Sequence, residues 1–363
     1  MPMSLWRLLL LAIFALPLFA QQPGFHVGET NRAIHPQRNR NWRGAKTEAL
    51  LTEIWYPVAA TVATTEHDIG TPGNLLFHGG MTAIDAPIAS FPERFPLIVL
   101  SHGTGGTGNS LEWLAIALAA NGYIVAAVNH PGNNALEPLT SDGFRLWWER
   151  ASDLTDVLDS LLVDPVTGSR IDKNRIGAAG FSLGGYTVIE LAGARTNRQA
   201  FLDFCNSKQA DATCVPPEMA RAEAARTSPA LPPSPEALKS IAQSAASYRD
   251  PRIKAAFAMA PALGEAFTQS DLAAVEIPLE IVAGDGDVTV PFRTNAVRYG
   301  QLLPSAKVTI LPGGISHYTF TDTCLPAGLE MLAEICKDKP GVDRDEVHRR
   351  VSEMALRFFN ENL

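Results

Sequence analysis

The apolar positions of this chain fall into short runs that alternate with longer amphipathic stretches. Runs at 49–56, 96–101, 123–129, 175–181, 255–259, 279–283 and 307–311 have strand length and are bounded by turn-forming residues. Between them a helical spacing of apolar residues predicts helices over 111–120, 145–162, 184–194, 292–302 and 343–360. Strands alternating with helices in this way predict an α/β fold, a mostly parallel central sheet with helices on both faces. No internal repeat or low-complexity array interrupts the order. One stretch does break it, from about Thr196 to Asp250, and includes the proline-rich Ser228 to Pro235. It reads as an insertion into one domain, either a lid over a site at the carboxyl edge of the sheet or an inert surface loop.

The amino terminus follows another pattern: Arg7 precedes an unbroken apolar run from Leu8 to Ala20, and the polar pair Gln21-Gln22 follows. The run is roughly 13 residues, well short of the roughly 20 that span a bilayer, so residues 1–20 read as an export signal rather than an anchor. The expected location is periplasmic or secreted, with no transmembrane anchor once the signal is cleaved. Export gives the cysteines a meaning. In an oxidising compartment four cysteines in two local pairs, Cys205 with Cys214 and Cys324 with Cys336, predict two small-loop disulfides, although three pairings are formally open. Neither pair has the spacing of a metal site.

Composition narrows the function classes. With 46% hydrophobic and 19% charged residues the chain is globular, and its net charge of −8, without any basic block, leaves no footprint for nucleic acid. The chemistry is carried by Gly180-Phe181-Ser182-Leu183-Gly184, set between a predicted buried strand and a predicted helix. A serine hydroxyl is a weak nucleophile, so it has to be presented on a sharp strand-to-helix turn where a base can reach it, and flanking glycines permit that turn. The partners of such a serine follow in the order acid, then histidine. His317, in Gly313-Gly314-Ile315-Ser316-His317, lies just past the last strand and is the candidate base; His348, among the arginines of the terminal helix, reads as part of a solvated face. The acid is Asp287 or Asp285, both directly after the preceding strand. Ser101-His102-Gly103-Thr104 follows an earlier strand, so the amides of Thr104 and Leu183 are the candidate oxyanion donors, with His102 and His130 shaping the turn or lining the pocket. Gly103, Gly105 and Gly108 also satisfy GxGxxG, as a dinucleotide site would, but the next strand ends in Asn129-His130 rather than in the acid that holds a ribose.

Taken together, Ile54-Trp55-Tyr56-Pro57, Leu100-Ser101-His102-Gly103, the segment Asn121 to His130, the Ser182 turn and Gly313 to His317 resemble the α/β-hydrolases. The resemblance is narrower to platelet-activating factor acetylhydrolase-like and dienelactone hydrolase-like bacterial enzymes. It implies an α/β-hydrolase fold and a serine esterase with no cofactor or metal, acting on a small or lipid-like ester. It also favours Asp287, because Gly284, Asp287 and Pro291 fit the GxxDxxxP that such enzymes carry after this strand, leaving Asp285 to form the turn. The lipid-hydrolysing eukaryotic members take their acid one strand earlier, where this chain has Ala258-Met259-Ala260-Pro261. Dienelactone hydrolases use a cysteine where this chain has Ser182. The expectation is a carboxylic ester hydrolase, possible substrates being short-acyl or phospholipid-type esters. Alternatives are a cutinase-like polyester hydrolase and a non-catalytic binding protein on the same scaffold.

Overall fold

A computed structural model describes residues 24–225 and 232–363. The expected export signal and Ser228 to Leu231 lie outside the described residues. The strands are β1 (His26–Ile34), β2 (Leu50–Val58), β3 (Thr65–Thr71), β4 (Asn74–Ile84), β5 (Phe95–Ser101), β6 (Ile124–Val128), β7 (Ile171–Phe181), β8 (Ile253–Met259), β9 (Leu279–Gly284) and β10 (Lys307–Leu311). They form one sheet in the order β10-β9-β8-β7-β5-β6-β2-β1-β4-β3. From β10 to β6 every pairing is parallel, and β2 then joins β6 antiparallel. Every residue of β5, β6 and β9 is buried. A strand covered on both faces has to be apolar along its whole length, which is why these segments stand out in the sequence.

The helices are α1 (Glu112–Ala120), α2 (Ser141–Arg145), α3 (Glu149–Leu161), α4 (Leu183–Leu191), α5 (Arg198–Cys205), α6 (Pro217–Ala224), α7 (Pro235–Ala242), α8 (Ala296–Leu302), α9 (Pro326–Met331), α10 (Ala333–Cys336) and α11 (Arg344–Asn362). Helix α1 packs on α11, and α3 packs on α4, so the sheet is covered by two helical layers. Of the helix predicted over 145–162 only 149–161 forms α3; Arg145 instead closes α2, because the chain leaves helical geometry at Leu146. The expected helix at 292–302 begins only at Ala296. The stretch from 196 to 250 holds α5, α6 and α7, capped by Asn197 and Ser234 side chains and by prolines in the first turns of α6 and α7.

Disulfides join Cys205 to Cys214 and Cys324 to Cys336. The first ties the end of α5 to the 3-10 turn Ala212–Cys214; the second spans α9 and α10 beside a bridge from Cys324 to Phe77 of β4. Closing a loop of 12 residues limits the unfolded chain, which is worth about 3 kcal/mol. The Cys324→Ser/Cys336→Ser protein should therefore melt several degrees lower; equal melting temperatures would show that the bridge adds no stability.

His348 is not on a solvated face. Helix α11 exposes Arg349 and Arg350 but buries Val347, His348, Val351 and Phe358. The His348 ring stacks on Trp113 at 4.2 Å, and its Nε2 lies 2.9 Å from the Thr319 carbonyl. The charged neighbours obscured a position that helical geometry turns inward. Burial pushes the His348 pKa down to about 4. A histidine depressed in the fold binds its proton more readily when unfolded, so its contribution is full above pH 6.5 and is lost as pH falls from there towards 4. Acid titration of thermal stability should show a shallower slope between those values in His348→Gln than in the wild type; identical slopes would count against this.

Candidate active site

The carboxyl ends of the parallel strands lie in register, with Ser101 opposite Gly180, Phe181 opposite Met259 and Gly284 opposite Leu311. The loops that follow them therefore meet at one edge of the sheet. Ser182 occupies the single residue between β7 and α4 with φ 56° and ψ −118°, a strained conformation for a residue with a side chain. Its amide donates to the Met259 carbonyl at 2.9 Å and its own carbonyl accepts from Ala262 at 3.0 Å, which pins the turn. The flanking glycines are required by close approach, since a Cβ on Gly184 would sit 1.9 Å from the Ser101 carbonyl oxygen and one on Gly180 2.2 Å from that of Gly184.

His317 Nε2 lies 2.9 Å from Ser182 Oγ, and His317 Nδ1 lies 2.7 Å from Asp287 Oδ2. All three residues are buried, and the Phe181 ring packs against the imidazole. The other oxygen of Asp287 accepts from the amides of Thr289 and Val290 at 3.0 and 2.7 Å. Facing a carboxylate, Nδ1 holds the ring proton, and Nε2 keeps a lone pair turned to the serine hydroxyl. Such an arrangement can deprotonate Ser182 as it attacks and then protonate a leaving group. Asp285 is more than a turn former: it accepts from the amides of Gly313 and Gly314 at 3.2 and 2.7 Å and so holds the loop that carries His317.

Ser182, His317, Thr104 and Leu183 all line a cavity of about 550 Å³, within the usual range for a small-ligand site. Leu183 opens α4, where the first amides have no intrahelical acceptor. Much of the wall was not legible beforehand. The β3–β4 hairpin contributes Ile69 and Phe77, the turn before α3 gives Trp147, and the insertion gives Phe201, Glu218 and Met219. Glu218 Oε1 accepts from the Tyr318 hydroxyl at 2.6 Å, next to His317. The insertion is also fastened at the start of α8, where Asn295 Nδ2 donates to Thr213 Oγ1 at 3.1 Å and Thr294 Oγ1 to Asp211 Oδ2 at 2.6 Å.

His102 and His130 sit behind this site, not in it. His130 bridges Ser101 Oγ at 2.8 Å and Asp153 Oδ2 at 2.7 Å, repeating the serine, histidine and carboxylate order, but all three are sealed from solvent and none lines the cavity. Burial pushes His130 down to about 3, so it is a neutral structural link. Glu29, His67 and Glu112 bring ligand-type atoms within 4.8 Å of one another. There the contact of His67 Nε2 with Glu112 Oε1 at 2.8 Å raises the imidazole pKa to about 9.

Comparison with known proteins identifies the family. The family model described as "Alpha/beta hydrolase family" matches residues 98–322, from β5 through His317. The chain belongs to the alpha/beta hydrolase family. A second model, "Platelet-activating factor acetylhydrolase, isoform II", matches residues 45–141. Among curated relatives, the chain is 33% identical over 94 residues to Lipase 1 of Moraxella sp. (strain TA144), covering 26% of each protein. It is 31% identical over 110 residues to cutinase est1 of Thermobifida alba, covering 30% of this chain and 34% of that one. It is 29% identical to the platelet-activating factor acetylhydrolase of Bos taurus, over 32% of this chain and 36% of that one. These matches thus span about a quarter to a third of the relatives' own length. A ferulic acid esterase from Streptomyces cinnamoneus shares the fold, with a TM-score of 0.57 at 18% identity over 95% of this chain and 91% of that one.

Proposed function

We propose that this protein is an exported serine hydrolase of carboxylic esters, with Ser182 as nucleophile, His317 as general base and acid, and Asp287 as the carboxylate that orients it. The observation that carries the reading is the continuous chain from Ser182 Oγ through His317 to Asp287, opening on an otherwise largely apolar cavity. Ser182 attacks the ester carbonyl, His317 takes its proton and passes it to the departing alcohol, and water then releases the acyl group by the same route. The amides of Thr104 and Leu183 receive the negative oxygen of the tetrahedral intermediate.

The cavity supports a small, detached ester with a short or compact acyl group, because the insertion and the β3–β4 hairpin each contribute wall residues around Ser182. The names of the relatives, a lipase, a cutinase and a platelet-activating factor acetylhydrolase, support ester chemistry without choosing among acyl chains. Export is supported by the apolar amino-terminal run and by the two disulfides; among the described residues no helix is long and apolar enough to cross a membrane. The test is a series of p-nitrophenyl esters from acetyl to palmitoyl, together with a short-chain phospholipid and a polyester film. The expected kcat/KM is highest for acyl chains of about eight carbons or fewer, the length a cavity of this size class encloses. A maximum at palmitoyl, or turnover of the film alone, would overturn this substrate class.

A further inference from the structure

We infer that Arg150, on α3, is a positioning residue for the oxyanion turn, holding in place the peptide unit that presents the Thr104 amide. The inference rests on the ester-hydrolase reading and adds a residue that touches neither substrate nor the reacting atoms.

Arg150 is 1% exposed. The neighbouring carboxylate of Asp153 is engaged by Arg40, Arg43 and His130, and among the described residues Arg150 has no carboxylate within ion-pair distance. Burying a guanidinium without such a partner is costly, so its neutral acceptors matter. Nη2 donates to the His102 carbonyl and, at 3.4 Å, to Ser101 Oγ, while Nη1 donates to Asn133 Oδ1 at 2.9 Å. The same Asn133 oxygen accepts from the Gly105 amide at 3.4 Å. Arg150 therefore grips the turn at both ends, directly at residue 102 and through Asn133 at residue 105.

The middle of the turn is held by His102. Its Nε2 accepts from the His130 amide at 3.1 Å, so the ring proton is on Nδ1, which donates to the Gly103 carbonyl at 2.6 Å. That carbonyl and the Thr104 N–H belong to one planar trans peptide and point in opposite directions, so fixing the first aims the second. Three successive peptide units are thereby clamped, and the central one carries the proposed oxyanion donor. The turn lies against the nucleophile, since a Cβ on Gly103 would be 3.1 Å from Ser182 Cβ. A lysine, with one ammonium and no rigid fork, could not hold both acceptors in the same geometry.

The test compares wild type, Arg150→Met, Arg150→Lys and Asn133→Ala in the full chain, with active sites counted by a fluorophosphonate probe. The readouts are kcat and KM for p-nitrophenyl butyrate and inhibition by a trifluoromethyl ketone, whose adduct carries an oxyanion. Arg150→Met should lose about 100-fold in kcat per titrated site, with KM within about threefold and ketone affinity falling in parallel. Arg150→Lys should recover less than tenfold of that loss. Asn133→Ala, which leaves the buried charge in place, should lose about tenfold and decides the matter if Arg150→Met does not fold. Unchanged kcat per titrated site, or a rise confined to KM, would overturn the role of Arg150 while leaving the esterase reading intact. A wild-type protein that neither hydrolyses esters nor labels at Ser182 would sink both.

Discussion

Ser182→Ala should lower kcat/KM on p-nitrophenyl esters by about 10⁴- to 10⁶-fold and abolish labelling by a fluorophosphonate, with little change in melting temperature. The magnitude follows from removing the only atom able to form an acyl-enzyme, after which residual turnover comes from the oxyanion donors and binding alone. Stability should hold because the backbone contacts that pin the turn, to Met259 and from Ala262, do not involve Oγ. Among the described residues the lost hydroxyl has a single protein partner, His317 Nε2. Activity within tenfold of wild type in this variant would remove Ser182 from the reaction and with it the mechanism proposed above.

Asp287→Asn should cost about 10⁴-fold in kcat, whereas Asp285→Asn should cost little. The reason lies in which acceptors each position must keep. The Thr289 and Val290 amides both need Oδ1 of residue 287, so an asparagine there would keep its oxygen on them and turn its NH₂ towards His317 Nδ1. The imidazole would then have to accept at Nδ1 and carry its proton on Nε2, which faces Ser182 with a hydrogen instead of a lone pair. The base would be present and correctly placed but in the wrong tautomer. At 285 an asparagine still offers one oxygen to the Gly314 amide and gives up only the longer bond to Gly313, a loss of about 1 kcal/mol in stability. Rate profiles of the two variants check the assignment, and the reverse ranking would exchange the roles of the two aspartates.

What could be read from the sequence was decided by burial on both sides. Strands β5, β6 and β9 and the Ser182 turn were visible because strands covered on both faces must be apolar throughout, and because glycines are forced where backbones approach within van der Waals distance. Strands β1, β3 and β4 were not read as strands. Thr65–Thr71 has no buried residue, so nothing in its pattern distinguishes a hairpin from a loop, yet this hairpin forms one wall of the cavity. The assignment of His348 failed for a related reason, since a buried histidine directly before two exposed arginines is masked by its charged neighbours. Between Asp285 and Asp287, which both follow β9, the GxxDxxxP resemblance favours Asp287, but that Asp285 secures the histidine loop is seen only in the hydrogen bonds.

The bond between Glu218 and Tyr318 bears on how this pocket can be remodelled. The insertion from 196 to 250 looks like an exchangeable module that sets the shape of the cavity while the catalytic loops stay constant. Glu218 contradicts that modularity, because the residue it holds is the immediate neighbour of His317. Transplanting a foreign insertion would change the cavity and loosen the histidine loop in one step. Side chains such as Phe201 and Met219, which face the cavity without anchoring that loop, can be varied separately. Breadth of substrate and precision of the base are therefore tuned by different residues of one segment.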